Sequence, residues 1–114
     1  MLKIGAIVWG VRDLDRAIKF WSEALNYELS RAPDIDFAIL IPREGEGIQL
    51  SLNAAVTSIK PKRHHIDLFT RDQAKEVERL LNLGATKADW KYEHEADYVV
   101  LSDPDGNTFC VVQM

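Results

Sequence analysis

The heptapeptide RHHIDLF, residues 63–69, sets two imidazoles beside a carboxylate in an otherwise apolar stretch. Its pattern is that of a strand on which His65, Asp67 and Phe69 share one face, with Ile66 and Leu68 on the other. An imidazole two residues from a carboxylate on one strand face can hold a metal, move a proton or grip a ligand. The same pair also fits a hydrogen-bonded histidine with no chemical role, with Asp67 only orienting the ring. His64 points the other way and is expected to be partly exposed. Cys110 is the one cysteine, so no internal disulfide can form. No basic residue beside it in sequence would lower its pKa, so it reads as a small buried apolar group rather than a nucleophile. The segment WKYEHEADY, residues 90–98, is either a hairpin loop with one core aromatic or a lid. As a lid it would stack Trp90, Tyr92 or His94 on a flat ligand. The basic cluster KPKRHH, residues 60–65, reads as a solvated linker. Phosphate-cradling glycine loops, serine nucleophile elbows and zinc-finger spacings are absent from the sequence.

The chain that must position these groups has 114 residues, which fits one domain, 1–114. Its formal net charge of −4 argues against nucleic acid as a partner, because phosphate binding needs a positive field. The opening MLKIGAIVWGVRD is apolar but short and β-branched, so it reads as a strand rather than a signal peptide. No stretch is long enough to span a membrane. With one cysteine, a reducing cytoplasm is the simplest location.

Residues 2–11 read as a buried strand. RDLDRAIKFWSEALN follows with Leu14, Ala17, Ile18, Trp21, Ala24 and Leu25 at helical spacing, Asp13 as N-cap and Asn26 as a left-handed stop. YELSR is a weak strand, APDID a loop, and FAILI and GIQLSLN are strands around a PREG turn. Residues 54–62 are a connector containing Pro61. The order then repeats. RHHIDLFT is a strand, and RDQAKEVERLLNLG a helix with Asp72 as cap, Gly84 as stop and Ala74, Val77, Leu80 and Leu81 as its buried stripe. TKADW is a weak strand, KYEHEA a loop, and DYVVLS and NTFCVV a hairpin around DPDG, with Gly106 in the left-handed position. FAILIPREG (37–45) overlays YVVLSDPDG (98–106) without a gap, Ala6 falls on His65 and Gln49 on Cys110. The sequence is thus an internal duplication of a βαβββ unit: module 1 over 1–53, a linker over 54–62 and module 2 over 63–114. The expected architecture is α+β, two βαβββ modules forming a curled mixed sheet around a cleft, with one helix per module on the outer face.

VRDLDRAIKFWSEALNY, HIDLFTRDQAKEVERLLNLGA and LSDPDGNTFCVV together resemble the glyoxalase/bleomycin-resistance/extradiol-dioxygenase superfamily, the vicinal oxygen chelate proteins, and within it the small bacterial glyoxalase-like domains. The resemblance covers nearly the whole chain. It implies a cleft built from paired modules and a homodimer. In metal-using members four strand positions aim ligands into the cleft; here the resemblance puts them at Ala6, Gln49, His65 and Cys110. Ala6 cannot coordinate. If a divalent metal is bound, the resemblance implies Gln49, His65 and Cys110 as ligands, with Asp67 as a further donor; the expectation is that no cofactor is needed.

If those four positions face the cleft, strand alternation adds Val8 and Gly10, Phe37 and Ile39, Ser51, Asp67 and Phe69, Tyr98 and Val100, Thr108 and Val112. Trp9, Leu50, Leu52, Ile66, Leu68, Leu101, Phe109 and Val111 then form the core against the helices. The expected ligand-binding residues are Phe37, Gln49, Ser51, His65, Asp67, Phe69, Trp90, Tyr98 and Cys110. Two functions fit. One is a metal-independent binder of a small planar or carbonyl compound. The other is a lyase or isomerase for a small carbonyl substrate, with His65 and Asp67 as its acid–base pair, Gln49 steadying the oxygen, and a metal as an optional aid.

Overall fold

The computed structural model describes residues 1–54 and 64–114. Most of the expected linker, Pro61, and Lys60, Lys62 and Arg63 of the basic cluster lie outside the described residues. Along the chain run β1 Lys3–Gly10, α1 Leu14–Leu25, β2 Tyr27–Leu29, β3 Phe37–Pro42, β4 Gln49–Asn53, β5 His65–Thr70, α2 Gln73–Asn82, β6 Thr86–Lys87, β7 Tyr98–Ser102 and β8 Thr108–Gln113. This is the βαβββ order twice over, an α+β fold with mixed strand pairing. In each half the first strand runs parallel to the last, β1 with β4 and β5 with β8, while the other pairs are antiparallel. The chain divides into two compact units, Ala6–His64 and a second made of His65–Met114 with Met1–Gly5. Neither helix is long and apolar enough to cross a membrane.

In the first unit, α1 begins where Asp13, in extended conformation, accepts the Arg16 N–H at 3.1 Å. It ends at Asn26, whose φ of 56° and ψ of 48° are left-handed; asparagine tolerates that region better than most side chains. Leu14, Ala17, Ile18 and Trp21 lay the helix on Ala38, Leu40, Leu50 and Leu52, so burial of one sheet face organises this half. Trp9 departs from the expected core. It is 36% exposed, with the His64 imidazole stacked on it at 3.9 Å between ring centroids and 13° between planes. His64 Nδ1 also accepts the Gly10 N–H at 3.1 Å.

In the second unit, Asp72 stands at the N-cap of α2, but its side chain caps nothing. Its own N–H donates to Thr70 Oγ1, and the Gln73 N–H at the helix start is taken by Gln113 Oε1 of β8 at 2.8 Å. Gln73 Nε2 returns the tie, donating to the carbonyls of Asp97 and Val111. The expected stripe is corrected at two places: Ala74 is exposed and Glu76 is buried. Glu76 can be buried because Arg79 clamps it with two hydrogen bonds, Nε to Oε1 at 3.1 Å and Nη2 to Oε2 at 3.3 Å. Leu101 and Val111 are fully buried, whereas Ile66 is 37% exposed, not core. The DPDG turn closes as its residues require. Gly106 has φ 83°, and Asp103 Oδ1 accepts from the N–H groups of Asp105 and Asn107.

Candidate functional site

Strand register places the chemistry-bearing side chains. Directly opposed residues of paired strands point to the same face. In the second unit Asp67 lies opposite Cys110, and Cys110 opposite Val100; Phe69 lies opposite Val112, and Val112 opposite Tyr98. Asp67, Cys110 and Val100 therefore form one row and Phe69, Val112 and Tyr98 the next. His65 lies two residues before Asp67 on the same face. Val111 and Leu101, one residue out of step with these rows, point the other way.

On this face His65 Nε2 lies 3.3 Å from Asp67 Oδ1, with the two side chains 30% and 21% exposed. Both are therefore sheltered yet reachable. Asp67 also accepts a hydrogen bond from the Cys110 thiol, whose pKa is pushed up to about 12. Burial is the main cause, followed by the charge of Asp67 and the bond it accepts. As it stands Cys110 is a thiol and a hydrogen-bond donor, not a nucleophile.

The overlay of the two halves needs one correction. Ile39 of the first half matches Val100 of the second. Ile39 pairs with Ser51, and Val100 pairs with Cys110. Cys110 is thus the counterpart of Ser51, and Gln49 corresponds to Thr108. The cause is hairpin length: Leu40 pairs with Leu50 where the matching Leu101 pairs with Phe109, two residues fewer around the turn. Because the difference is two residues and the side-chain period is two, Gln49 and Cys110 keep the facing direction that equal spacing past the turn gives them.

The remaining expected residues are distributed as follows. Phe69 is half-buried, and its ring covers Gly5 so closely that an added Cβ would sit 2.2 Å from the ring carbon Cδ2. Tyr98 Oη accepts from Trp90 Nε1 at 3.4 Å. Tyr92 Oη accepts the Val100 N–H at 2.9 Å, beyond the end of β6, and its ring lies 5.6 Å from that of Tyr98. The 90–98 segment is thus stitched to β7 by its aromatics, while the His94 side chain is 95% exposed. In the first unit, Gln49 and Ser51 lie opposite Ala6 and Val8 of β1, and Gln49 Nε2 donates to Ser51 Oγ at 3.2 Å. Phe37 opens β3 opposite Asn53. Sequence reasoning missed the contact of Asp67 with Cys110, which lie 43 positions apart; correct pairing across the DPDG hairpin was the signal that could have found it.

Three of these groups form a set that a metal ion could use. His65, Asp67 and Cys110 each offer one ligand atom, and the three lie within 4.8 Å of one another. An imidazole nitrogen, a carboxylate oxygen and a thiolate sulfur are a set zinc accepts, at about 2.0–2.3 Å with a fourth position left open. This set joins His65 and Cys110, two of the ligands that the resemblance implies, with Asp67, its further donor. Bound there, zinc would supply a Lewis acid for a carbonyl oxygen, and its binding would require Cys110 to lose its proton.

The repeated βαβββ order is that of the vicinal oxygen chelate class. The family profile described as a glyoxalase-like domain matches residues 6–112, and the chain belongs to that family. No curated protein matches its sequence. Among solved structures it is similar to a glyoxalase/bleomycin resistance protein/dioxygenase superfamily member from Vibrio splendidus 12B01 (15% identity, all of both chains covered, TM-score 0.66). It is also similar to methylmalonyl-CoA epimerase from Mycobacterium tuberculosis (18% identity, 96% of this chain and 86% of that one, TM-score 0.65). A third is a hypothetical protein from Bacillus halodurans C-125 (14% identity, 99% and 94% covered, TM-score 0.72). At these identities the likeness is one of fold.

Proposed function

We propose that this glyoxalase-like protein binds a small planar or carbonyl compound, without need of a metal, on the sheet face that carries His65, Asp67 and Cys110. The observation that carries the reading is the His65–Asp67 pair, 3.3 Å apart and partly exposed. Beside it the register sets the apolar Phe69, Val100 and Val112 and the half-buried Tyr98. A sheltered polar pair within an apolar wall is how small-molecule sites fix orientation. The metal-free reading is supported by Asp67 already being satisfied within the protein by His65 and the Cys110 thiol, and by Ala6 offering no donor. The proposal places the protein in the cytoplasm as a homodimer.

A second reading, a lyase or isomerase for a small carbonyl substrate, draws on the same pair. Asp67 orients the imidazole, and His65 would take a proton from a carbon next to a carbonyl and return it. That one structural relative is named an epimerase makes this chemistry worth testing.

One set of measurements separates the readings. Elemental analysis of protein purified without chelator is expected to find less than about a tenth of an equivalent of zinc, nickel, iron or manganese. Near-stoichiometric metal would overturn the metal-free reading. Binding of small aromatic carbonyl compounds, followed by calorimetry, is expected to weaken about tenfold in both His65→Ala and Asp67→Asn. Unchanged binding in the two folded variants would remove the site. Turnover that is lost in both while binding survives would favour the enzyme.

A further inference from the structure

We propose that a second site, formed by the start of β1 and the ends of β5 and β8, binds a small organic anion with an apolar body, such as a medium-chain carboxylate. The observation is a cavity of about 380 Å³ lined by Met1, Lys3, Phe69, Thr70, Arg71 and Met114, all within the second unit. At about 30 Å³ for each water-sized group it holds about a dozen non-hydrogen atoms.

Its lining divides by chemistry. Phe69 supplies a half-buried apolar surface and Met1 and Met114 two exposed ones, and methionine adapts to the shape of an alkyl chain at little cost. Lys3 and Arg71 supply two cationic side chains; no lining side chain is acidic, and among the described residues neither cation is in an ion pair. Thr70 is tied into the fold: Oγ1 accepts from the Asp72 N–H and the carbonyl from the Met114 N–H. The Arg71 carbonyl accepts from Gln113 Nε2 at 2.8 Å. Recognition is thus left to the ammonium and the guanidinium, on a backbone that is tied down. The Phe69 ring packs against Gly5, which has no side chain to hold it off. Two cationic side chains without an ion pair among the described residues, at the edge of an open apolar groove, select a carboxylate over a neutral molecule of the same shape.

The test is an NMR titration of the whole chain with hexanoate and, separately, with its neutral analogue hexanamide. The expected result is saturable shifts at Lys3, Thr70 and Arg71 with hexanoate, and binding about tenfold weaker for hexanamide. A Lys3→Gln/Arg71→Gln double variant is expected to bind hexanoate about tenfold more weakly at an unchanged melting temperature, since both side chains are exposed. Equal binding of the two probes, shifts confined to other residues, or unchanged binding by a folded double variant would overturn the proposal. Should that variant melt early, the salt dependence of hexanoate binding to the natural chain decides. A severalfold loss between low and high salt supports the site, and no loss overturns it.

Discussion

Asp67 and Cys110 stand directly opposite one another on the parallel strands β5 and β8, where burial first, and the carboxylate second, keep the thiol in its protonated form. The pair makes the reactivity of the single cysteine a direct reading of the site. With the pKa near 12, about one thiol in a thousand is ionised at pH 9. Cys110 is therefore expected to react with a disulfide reagent far more slowly than free cysteine at that pH. Asp67→Asn removes the charge and is expected to raise the rate severalfold. Equal rates in the two proteins would show that burial alone protects the thiol.

The same shift sets a dependence of stability on alkaline pH. The thiol pKa is higher folded than unfolded, so below the unfolded value both states hold the proton and Cys110 adds no pH dependence. Above that value the unfolded chain releases the proton while the folded one keeps it, so stability falls as pH rises towards about 12. Denaturant midpoints measured between pH 8 and 11 are expected to fall less steeply in Cys110→Ala than in the natural protein. Parallel curves would contradict the raised pKa.

Glu76 reverses the sign. The Arg79 hydrogen bonds are the main cause holding its pKa below the ordinary carboxylate value. The folded state therefore gains stability above the unfolded carboxylate pKa and loses it as pH falls through the lower folded value. Glu76→Gln is expected to be less stable at pH 7 and to show a shallower acid limb in thermal melts between pH 6 and 3. A variant with the same acid limb as the natural chain would show that Arg79 leaves the carboxyl unperturbed.

Much of this was legible in the sequence because it is local. The helix limits at Asp13 and Asn26, the Gly106 turn and the duplicated order follow from residue types within a few positions of one another. The shared face of His65, Asp67 and Phe69 follows from strand alternation alone. What escaped depends on partners far along the chain. The start of α2 is served by Gln113 rather than Asp72. Trp9 is half-covered by His64, 55 positions away, instead of joining the core. Glu76 is buried on a clamp from Arg79 that its spacing permits but does not require. Cys110 was misplaced relative to Gln49 because hairpin length, unlike hairpin existence, leaves no mark in the hydrophobic pattern.

Gly5 and Phe69 give the most direct test of side-chain placement on β5. An added Cβ on Gly5 would lie 2.2 to 2.5 Å from three ring carbons of Phe69, closer than atoms in contact can come. The ring must then leave its position or β1 must shift. Gly5→Ala is expected to cost about 1–3 kcal/mol, the range for overpacking, measured by chemical denaturation. If the clash with Phe69 is the cause, Phe69→Leu should suppress it. The double variant is expected to be more stable than the sum of the two single effects, with a coupling of about 1 kcal/mol. Additive losses would place the ring elsewhere, and with it the aromatic wall shared by the sheet face and the Lys3–Arg71 cavity.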